Sequence, residues 1–313
     1  MALNKKKKQS NMTLEERKEA ELLRAERKKK RGRRVATAIC SIVLAISSLC
    51  GLMQIGAVYA NNHLGFWTPT YEKVDIAPLL EKTVLTAEEY DLLYRQTGLA
   101  KAAIDDMRTT VRGRAKIEQI HEFFFREHEY YQDHYAPFTY MEYLVTDEYE
   151  DYATLADLQD GDILISSTMH FSNWRMGHSA LVVDGESGLI VEAVSPGTDS
   201  SYNHASSFSY RANFIILRPK VDAETKKEVV KYARENLLGI PYWLFVGAYP
   251  TKKYDGNPPK CSQCSHIVWT AYRKFGIDLD YNGGIVVFPK DMLHSDKVEI
   301  VQVFGFDLDK LWK

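Results

Sequence analysis

The chain has 313 residues, enough for one sizeable domain with additional segments. Hydrophobic residues make up 45% and charged residues 26%, as in globular proteins, and four cysteines are too few for a secreted fold held by disulfides. The net charge of −2 conceals an asymmetry. Residues 1–34 hold 14 Lys and Arg against 5 Asp and Glu, a net of +9, whereas the other 279 residues hold 26 against 37, a net of −11. The two ends therefore belong in different surroundings.

The first predicted elements are a charged helix over residues 13–31 and an apolar helix over residues 35–60. The apolar run holds no charged side chain, and about 20 helical residues cross the hydrocarbon core of a bilayer. Lys and Arg crowd its N-terminal edge, whereas Trp67 and Tyr71 follow its other end. The positive-inside rule then predicts a basic cytoplasmic tail (1–34), a transmembrane signal-anchor (35–60) and an extracytoplasmic remainder. A tail beside a membrane argues against nucleic acid as the partner.

A cleaved signal peptide is the alternative interpretation of this region. Val58-Tyr59-Ala60 provides a cleavage site of small residues, and the protein would then be secreted after cleavage near Ala60. Against cleavage, the basic region is 34 residues long, and the apolar run exceeds the usual length of about 7–15 residues. We therefore expect a single-pass membrane protein.

Residues 61–154 are predicted to be a helical accessory region and linker. Thr86 is followed by acidic residues, as at a helix N-terminus, and Gly98 breaks the pattern. Apolar residues at helical spacing continue the helical pattern to about residue 128. Residues 130–152 are rich in Tyr and acidic side chains, and we interpret them as a packed linker.

The residue pattern of the sequence changes after residue 155, where short apolar runs alternate with turns. These runs predict strands at 162–165, 179–183, 189–194, 214–218 and 298–304. Helices are predicted at 223–238 and 264–275, each closed by a glycine. Strands followed by mixed helix, strand and loop predict an α+β domain over residues 155–313.

Cys264 is placed where a thiol nucleophile needs to be. Pro258 and Pro259 exclude a helix before it, and apolar residues at helical spacing follow it, so Cys264 falls in the first helical turn. The positive end of the helix dipole and the first-turn N–H groups favour a thiolate there. Inert packing is the alternative role for a buried cysteine.

His178 begins a predicted strand that turns and returns through Glu192. If Val183 faces either Leu189 or Ser187, even-numbered residues pair with even-numbered residues, and Glu192 lies on the face of His178, opposite or one diagonal away. A carboxylate beside a histidine fixes its tautomer and stabilises the imidazolium. Alone, each residue would have an ordinary structural or solvated role.

Six short motifs in the second half of the chain occur in a recognisable order. They are Gly161-Asp162-Ile163-Leu164-Ile165, Gly177-His178-Ser179-Ala180-Leu181-Val182, Val191-Glu192-Ala193, Gly239-Ile240-Pro241-Tyr242, Cys264-Ser265-His266-Ile267-Val268-Trp269-Thr270-Ala271-Tyr272 and Pro289-Lys290-Asp291. This order resembles the YiiX-like permuted papain-like amidases, which are related to NlpC-type cell-wall hydrolases. The resemblance covers about residues 155–305. It implies a circularly permuted papain-like domain with a small antiparallel sheet and the nucleophile at a helix N-terminus.

The resemblance also implies catalytic roles. Cys264 becomes the nucleophile, His178 its base and Glu192 the third member of a triad, in a thiol hydrolase that requires no cofactor and no metal. Of the two nearby cysteines, only Cys264 is followed by the aliphatic pair and aromatic residue of the family pattern. Cys261 departs from that pattern and creates a C-x-x-C pair, for which a spare cysteine and a reversible disulfide over the nucleophile both remain open.

Three further residues are predicted to contact the substrate. Tyr242 follows from the resemblance, although Trp243 stands where relatives often carry a polar residue. Trp174 and Arg175 lie in the loop just before His178, which we expect to shape the substrate groove.

The predicted function is an extracytoplasmic amidase or peptidase that acts on cell-wall peptide. A lipid acyl hydrolase or acyltransferase with the same dyad is an alternative, which the membrane anchor would suit. A non-catalytic binding module, with residues 66–150 as its working part, is the third possibility.

Overall fold

The computed structural model divides the chain into two compact units, one ending at Tyr59 and one beginning at Ala60. It describes residues 13–63, 66–136, 139–146, 152–248 and 253–312. The helices are α1 (Leu14–His63), α2 (Ala77–Leu80), α3 (Ala87–Thr97), α4 (Lys101–Met107), α5 (Val111–Phe124), α6 (Ser206–Ser209), α7 (Ala223–Asn236), α8 (Cys264–Arg273) and α9 (Pro289–Leu293). The strands are β1 (Tyr130–Ala136), β2 (Thr139–Leu144), β3 (Ile163–Ser166), β4 (Met169–Phe171), β5 (Trp174–Arg175), β6 (His178–Asp184), β7 (Leu189–Glu192), β8 (Ser201–His204), β9 (Phe214–Pro219) and β10 (Val298–Phe304).

Helix α1 joins the predicted charged helix and the predicted apolar helix into one continuous element. Only Gly32 interrupts the good helix formers between them, and a single glycine costs about 1 kcal/mol in a helix interior, too little to break it. The part from Glu21 to Tyr59 is long and apolar enough to cross a membrane.

The predicted start and stop signals of the accessory helices are confirmed. The Thr86 side chain accepts a hydrogen bond from the Glu89 N–H, and the Glu89 carboxylate accepts one from the Thr86 N–H, which forms a capping box at the start of α3. Gly98 ends the helix with a φ of 71°. Its backbone packs so closely on Val303 that a Cβ would lie 2.0 Å from the carbonyl oxygen, so only glycine fits.

The predicted α+β class is confirmed, with two antiparallel sheets. The larger has the strand order β10-β9-β3-β6-β7-β8, and the smaller has the order β1-β2-β4-β5. All five strands that the apolar runs predict lie in the larger sheet. Two of the hairpins that complete the sheets were missed, because β4 and β5 are short and β8 is exposed and polar throughout.

The larger sheet is buried on both faces, apart from its exposed edge strand β8. Even-numbered residues such as Leu164 and Val182 belong to one hydrophobic core, which also contains the buried sides of α3, α4 and α5. Odd-numbered residues such as Ile163 and Leu181 belong to a second core, which they share with α7 and α8. This alternation follows from the period of two in a β-strand. The boundary expected between 154 and 155 therefore lies inside one unit, whose sheet packs on the accessory helices.

Residues 130–136 and 139–144 correct the prediction of a packed linker over residues 130–152, of which 137–138 and 147–151 lie outside the described residues. Tyr130–Ala136 and Thr139–Leu144 form an antiparallel hairpin, and Met141 in its second strand also pairs with Met169 of β4. Tyrosine favours β-strands because its ring packs well on a sheet. In this segment that preference outweighs the low strand propensity of the acidic residues that lie between the tyrosines. The hairpin makes this segment part of the second sheet.

A buried ion pair joins the sheet to the accessory helices. Arg218 of β9 donates two hydrogen bonds of 2.9 Å to Asp162, which is fully buried, and one of 2.9 Å to Asp106 of α4. Removing one member of such a pair leaves a buried charge without compensation.

We expect Arg218→Met to lower the free energy of unfolding by about 3–5 kcal/mol, because Asp162 loses its counter-charge. Urea unfolding of the full chain in detergent measures the change. Arg95→Met is the matched control, since Arg95 is only partly buried and pairs with Asp91 and Asp309 at the surface. This substitution should leave the free energy of unfolding nearly unchanged. Equal effects of both substitutions would contradict a structural role for the buried pair.

Candidate active site

Cys264 is the first residue of α8, as the sequence predicts. Gln263 caps the helix, and its Oε1 accepts a hydrogen bond of 2.8 Å from the Ser265 N–H. The same oxygen lies 3.3 Å from the Cys264 thiol. The side-chain nitrogen of Gln263 donates to the Val287 carbonyl, which holds the amide in place. The thiol is therefore held, nearly buried, at the positive end of a helix.

His178 is the first residue of β6 and is fully buried. The preceding residue, Gly177, has a φ of 75°, in the left-handed region. A Cβ at Gly177 would lie 2.5 Å from the Trp312 ring and 2.7 Å from the Ser166 carbonyl oxygen. Both the backbone conformation and the close approach thus require glycine immediately before the histidine.

Glu192 is the last residue of β7, and the predicted strand parity is confirmed. Leu181 pairs with Val191 and Val182 with Ile190, so Glu192 lies on the face of His178, one diagonal away. The register shifts only beyond Val182, towards the turn. His178 Nε2 lies 2.6 Å from the Glu192 carboxylate, and Asn203 Nδ2 donates to the other carboxylate oxygen at 2.6 Å.

These contacts assign the tautomer of His178. Because a carboxylate accepts from Nε2, that nitrogen carries the proton in the neutral ring, and the lone pair is on Nδ1. Nδ1 is buried and, among the residues that the structure describes, has no partner at hydrogen-bond geometry. It is the ring nitrogen left to interact with the Cys264 thiol.

The pKa values of the two groups shift in opposite directions. Burial raises the pKa of the Cys264 thiol, but the hydrogen bond and charge of His178 outweigh burial and lower it. For His178, burial and the Arg211 charge lower the pKa, but the interactions with Cys264 and Glu192 outweigh them and raise it. The proton therefore moves from sulfur towards imidazole, which favours a thiolate–imidazolium pair.

Glu192 stays ionised inside the protein. Burial raises its pKa, but His178, Arg211 and Asn203 together outweigh burial and lower the pKa to about 2. A charged carboxylate beside Nε2 is what an imidazolium needs for stabilisation in a buried site.

Arg211 is a neighbour of the triad that the sequence prediction missed. Its guanidinium lies 4.2 Å from the centre of the Phe208 ring, and Phe208 in turn stacks on His178 at 5.8 Å. Arg211 is 4% exposed, and its Nε and one terminal nitrogen have no hydrogen-bond partner in the described ranges. Burial lowers its pKa, and the negative charges of Glu192 and Cys264 oppose that change. An isolated arginine in a loop gives no sequence signal of such a position.

A narrow cleft opens beside the Cys264 thiol. Tyr242 lines it, as predicted, and burial together with the Cys264 charge raises the pKa of its phenol. His170 of β4 also lines the cleft, where its Nε2 lies 3.1 Å from the Glu142 carboxylate. The Tyr-rich segment and the loop before His178 thus both reach the cleft, through residues that the prediction did not single out.

Trp174 and Arg175 are not among the described residues that line the cleft. Arg175 donates hydrogen bonds to both carboxylate oxygens of Glu142, at 2.7 and 3.3 Å. Its guanidinium is therefore engaged in an ion pair within the second sheet. Trp174 is 40% exposed on the adjacent edge strand. The loop lies beside the cleft, but neither of the two side chains lines it.

Two potential competitors of the dyad lie apart from it. His266 is hydrogen-bonded through one ring nitrogen to Ser262 and through the other to the Lys253 carbonyl, and burial lowers its pKa to about 4. Cys261 lines a different pocket, and burial raises the pKa of its thiol. No cysteine of the described residues forms a disulfide.

No protein-family model matches this sequence, and no curated protein or solved structure shows significant similarity to it. The resemblance to the permuted amidases therefore depends on the six motifs and stays a prediction.

We expect Cys264 to be alkylated by iodoacetamide faster than Cys261 at pH 7, because its pKa is lowered and that of Cys261 is raised. As the pH increases, the rate at Cys264 should therefore begin to rise at a lower pH than the rate at Cys261. His178→Ala should raise the pKa of Cys264 and slow its alkylation about tenfold for each unit of pKa. Peptide mass spectrometry across pH 5–10 separates the cysteines.

His204→Ala is the matched control for this experiment, since His204 is exposed on β8. It should leave both alkylation rates unchanged. A Cys264 rate that equals that of Cys261, or that ignores His178, would disprove the dyad.

Proposed function

We propose that this protein is a thiol hydrolase that cleaves an amide or ester bond through an acyl-enzyme on Cys264. The observation that carries the proposal is the arrangement of His178. The Glu192 carboxylate lies 2.6 Å from His178 Nε2. His178 Nδ1 is then the ring nitrogen that can interact with the Cys264 thiol at the start of α8. A merely structural histidine would have both nitrogens engaged, as His266 does.

In the proposed acylation step, the thiol proton resides on His178 Nδ1 and the Cys264 thiolate attacks the carbonyl carbon. A sulfur–carbon bond forms, and the carbonyl electron pair moves to the oxygen. First-turn N–H groups of a helix lack intrahelical acceptors, and the Ser265 N–H is taken by Gln263. The Cys264 N–H is thus the donor that we assign to the oxyanion.

The intermediate collapses when the bond from carbon to the leaving nitrogen or oxygen breaks. The leaving group takes the proton from His178 Nδ1 and departs as an amine or an alcohol. In deacylation, His178 accepts a proton from water, the hydroxide adds to the thioester, and the carbon–sulfur bond breaks. A carboxylic acid leaves, and the thiolate–imidazolium pair is restored.

The proposed location is extracytoplasmic, with α1 as the anchor and the basic tail inside the cell. Two substrate classes fit the same chemistry, the cell-wall peptide that the family resemblance implies and an acyl lipid. A non-catalytic binding module is the less favoured alternative, because it gives no reason for a lowered thiol pKa beside a buried carboxylate.

Cys264→Ala should abolish turnover of a panel of peptidoglycan fragments and acyl esters by the full chain, because no acyl-enzyme forms. Cys261→Ala is the matched control and should retain activity. Release of amine, alcohol and acid products is followed by chromatography. Equal turnover by both variants would contradict the proposal.

Glu192→Gln should lower kcat roughly 10²–10⁴-fold, because a neutral amide neither stabilises the imidazolium nor enforces the tautomer. Glu186→Gln, in the exposed turn after β6, is the matched control. The pH dependence of kcat/KM adds a second readout, since the acid limb should move to higher pH when imidazolium stabilisation is lost. An unchanged profile would remove Glu192 from the triad.

A further inference from the structure

The two oxygens of the Glu192 carboxylate have different partners. Oε2 lies 2.6 Å from His178 Nε2, and Oε1 accepts a hydrogen bond of 2.6 Å from Asn203 Nδ2. Glu192 is 1% exposed, so very little of it is open to bulk water. A buried acceptor without a donor is costly, and more so when it is charged. Asn203 therefore satisfies the oxygen that His178 leaves unbonded.

The strand register brings Asn203 to this position. Ile190 of β7 pairs with Asn203 of β8, and Glu192 pairs with Ser201. Residues two apart in a strand share a face, so Asn203 lies on the face of Glu192, one diagonal away. Since Glu192 is in turn one diagonal from His178, the three adjacent strands carry these side chains in a row across one face of the sheet.

The orientation of the Asn203 amide is fixed by a second hydrogen bond. Its Oδ1 accepts from the backbone N–H of His204 at 2.8 Å. The amide nitrogen is therefore the end that faces Glu192, whereas an inverted amide would place oxygen against oxygen. Because the amide is neutral, Asn203 satisfies the carboxylate without an ion pair that would compete with the imidazolium.

Asn203 is the exposed member of this row. All of β8 is exposed, whereas His178 and Glu192 are buried. Strand β8 is also an edge of the larger sheet. The bond from Asn203 thus joins the buried carboxylate to the outermost strand on this side.

We propose that Asn203 is a positioning residue of the candidate site. Its fixed amide holds the Glu192 carboxylate against His178 Nε2 and thereby helps to keep the thiol proton of Cys264 on the imidazole. This inference rests on the proposed function, since it adds a fourth member to the same chain of hydrogen bonds. Asn203 touches neither the substrate nor the thiol in this role and acts only through Glu192.

The charges around Glu192 agree with this role. They belong to His178 of β6, to Arg211 of the loop between α6 and β9 and, beyond His178, to the Cys264 thiol of α8. Asn203 is among the groups that lower the pKa of Glu192. Without this donor the pKa of Glu192 should rise, and the thiolate–imidazolium pair should lose part of its stabilisation.

The titratable residues of β8 itself lie elsewhere. Tyr202 and His204 alternate with Asn203 and therefore lie on the opposite face of the strand. The His204 ring is bonded to the Ser187 carbonyl and to Ser206. Asn203 is thus the side chain through which β8 reaches the carboxylate.

The test is the pH dependence of Cys264 alkylation in Asn203→Leu. Leucine has nearly the size of asparagine but cannot donate a hydrogen bond. The full chain in detergent is treated with iodoacetamide from pH 5 to pH 10, and peptide mass spectrometry follows Cys264. The midpoint of the rate profile should move to higher pH by about half a unit or more, so the rate at pH 5 should fall at least about threefold. At pH 10 both chains hold the thiolate, and their rates should agree.

Ser201→Ala is the matched control, because Ser201 is exposed on the same strand, directly opposite Glu192. It should leave the rate unchanged at every pH. Asn203→Ala, which lacks the bulk of leucine, should repeat the shift of Asn203→Leu. A rate that falls equally at every pH would indicate a structural role only, and an unchanged profile would show that Glu192 does not need Asn203. Either result overturns the proposal.

Failure of the proposed function gives a different result in the same experiment. If the Cys264 rate ignores His178→Ala, there is no dyad for Asn203 to support, and both proposals fail. If the rate responds to His178→Ala but not to Asn203→Leu, the dyad stands and only the positioning role is overturned.

Discussion

The burial of the central sheet on both faces is the constraint on which the rest of the structure depends. A strand whose alternate residues enter two different cores has no face left for charged groups, so polar chemistry is restricted to strand ends and the loops beyond them. His178 begins β6 and Glu192 ends β7, and these positions lie at the same end of an antiparallel pair. The candidate site is therefore at the edge of the cores.

The same constraint explains the accessory helices. One face of the sheet would be open to water without α3, α4 and α5, because its even-numbered residues are as apolar as those on the other face. The Arg218 bridge to Asp162 and Asp106 fixes one of these helices to the sheet. Helices α3, α4 and α5 are thus part of the unit that carries the site.

Charge inside the site is balanced over a short range. Glu192 and the Cys264 thiolate face His178 and Arg211, two negative groups against two positive ones, in surroundings where an unpaired charge is costly. Arg211 stabilises the anions but opposes the imidazolium, so it biases where the proton resides. The Phe208 ring contacts both groups, with the Arg211 guanidinium over its face and the His178 ring stacked on it.

The sequence by itself determined the local features: the apolar helix, the capping box at Thr86, the apolar strands, the helix start at Cys264 and the parity of Glu192. Each of these depends on neighbours within a few residues, or on the period of a strand, which a sequence displays directly. Only the tertiary structure decided the pairing of residues 139–141 with β4, the burial of Arg211 beside the triad and the ion pair between Arg175 and Glu142. These contacts join segments that are far apart in the chain, and no local pattern states which partner a polar side chain will meet once the cores have closed.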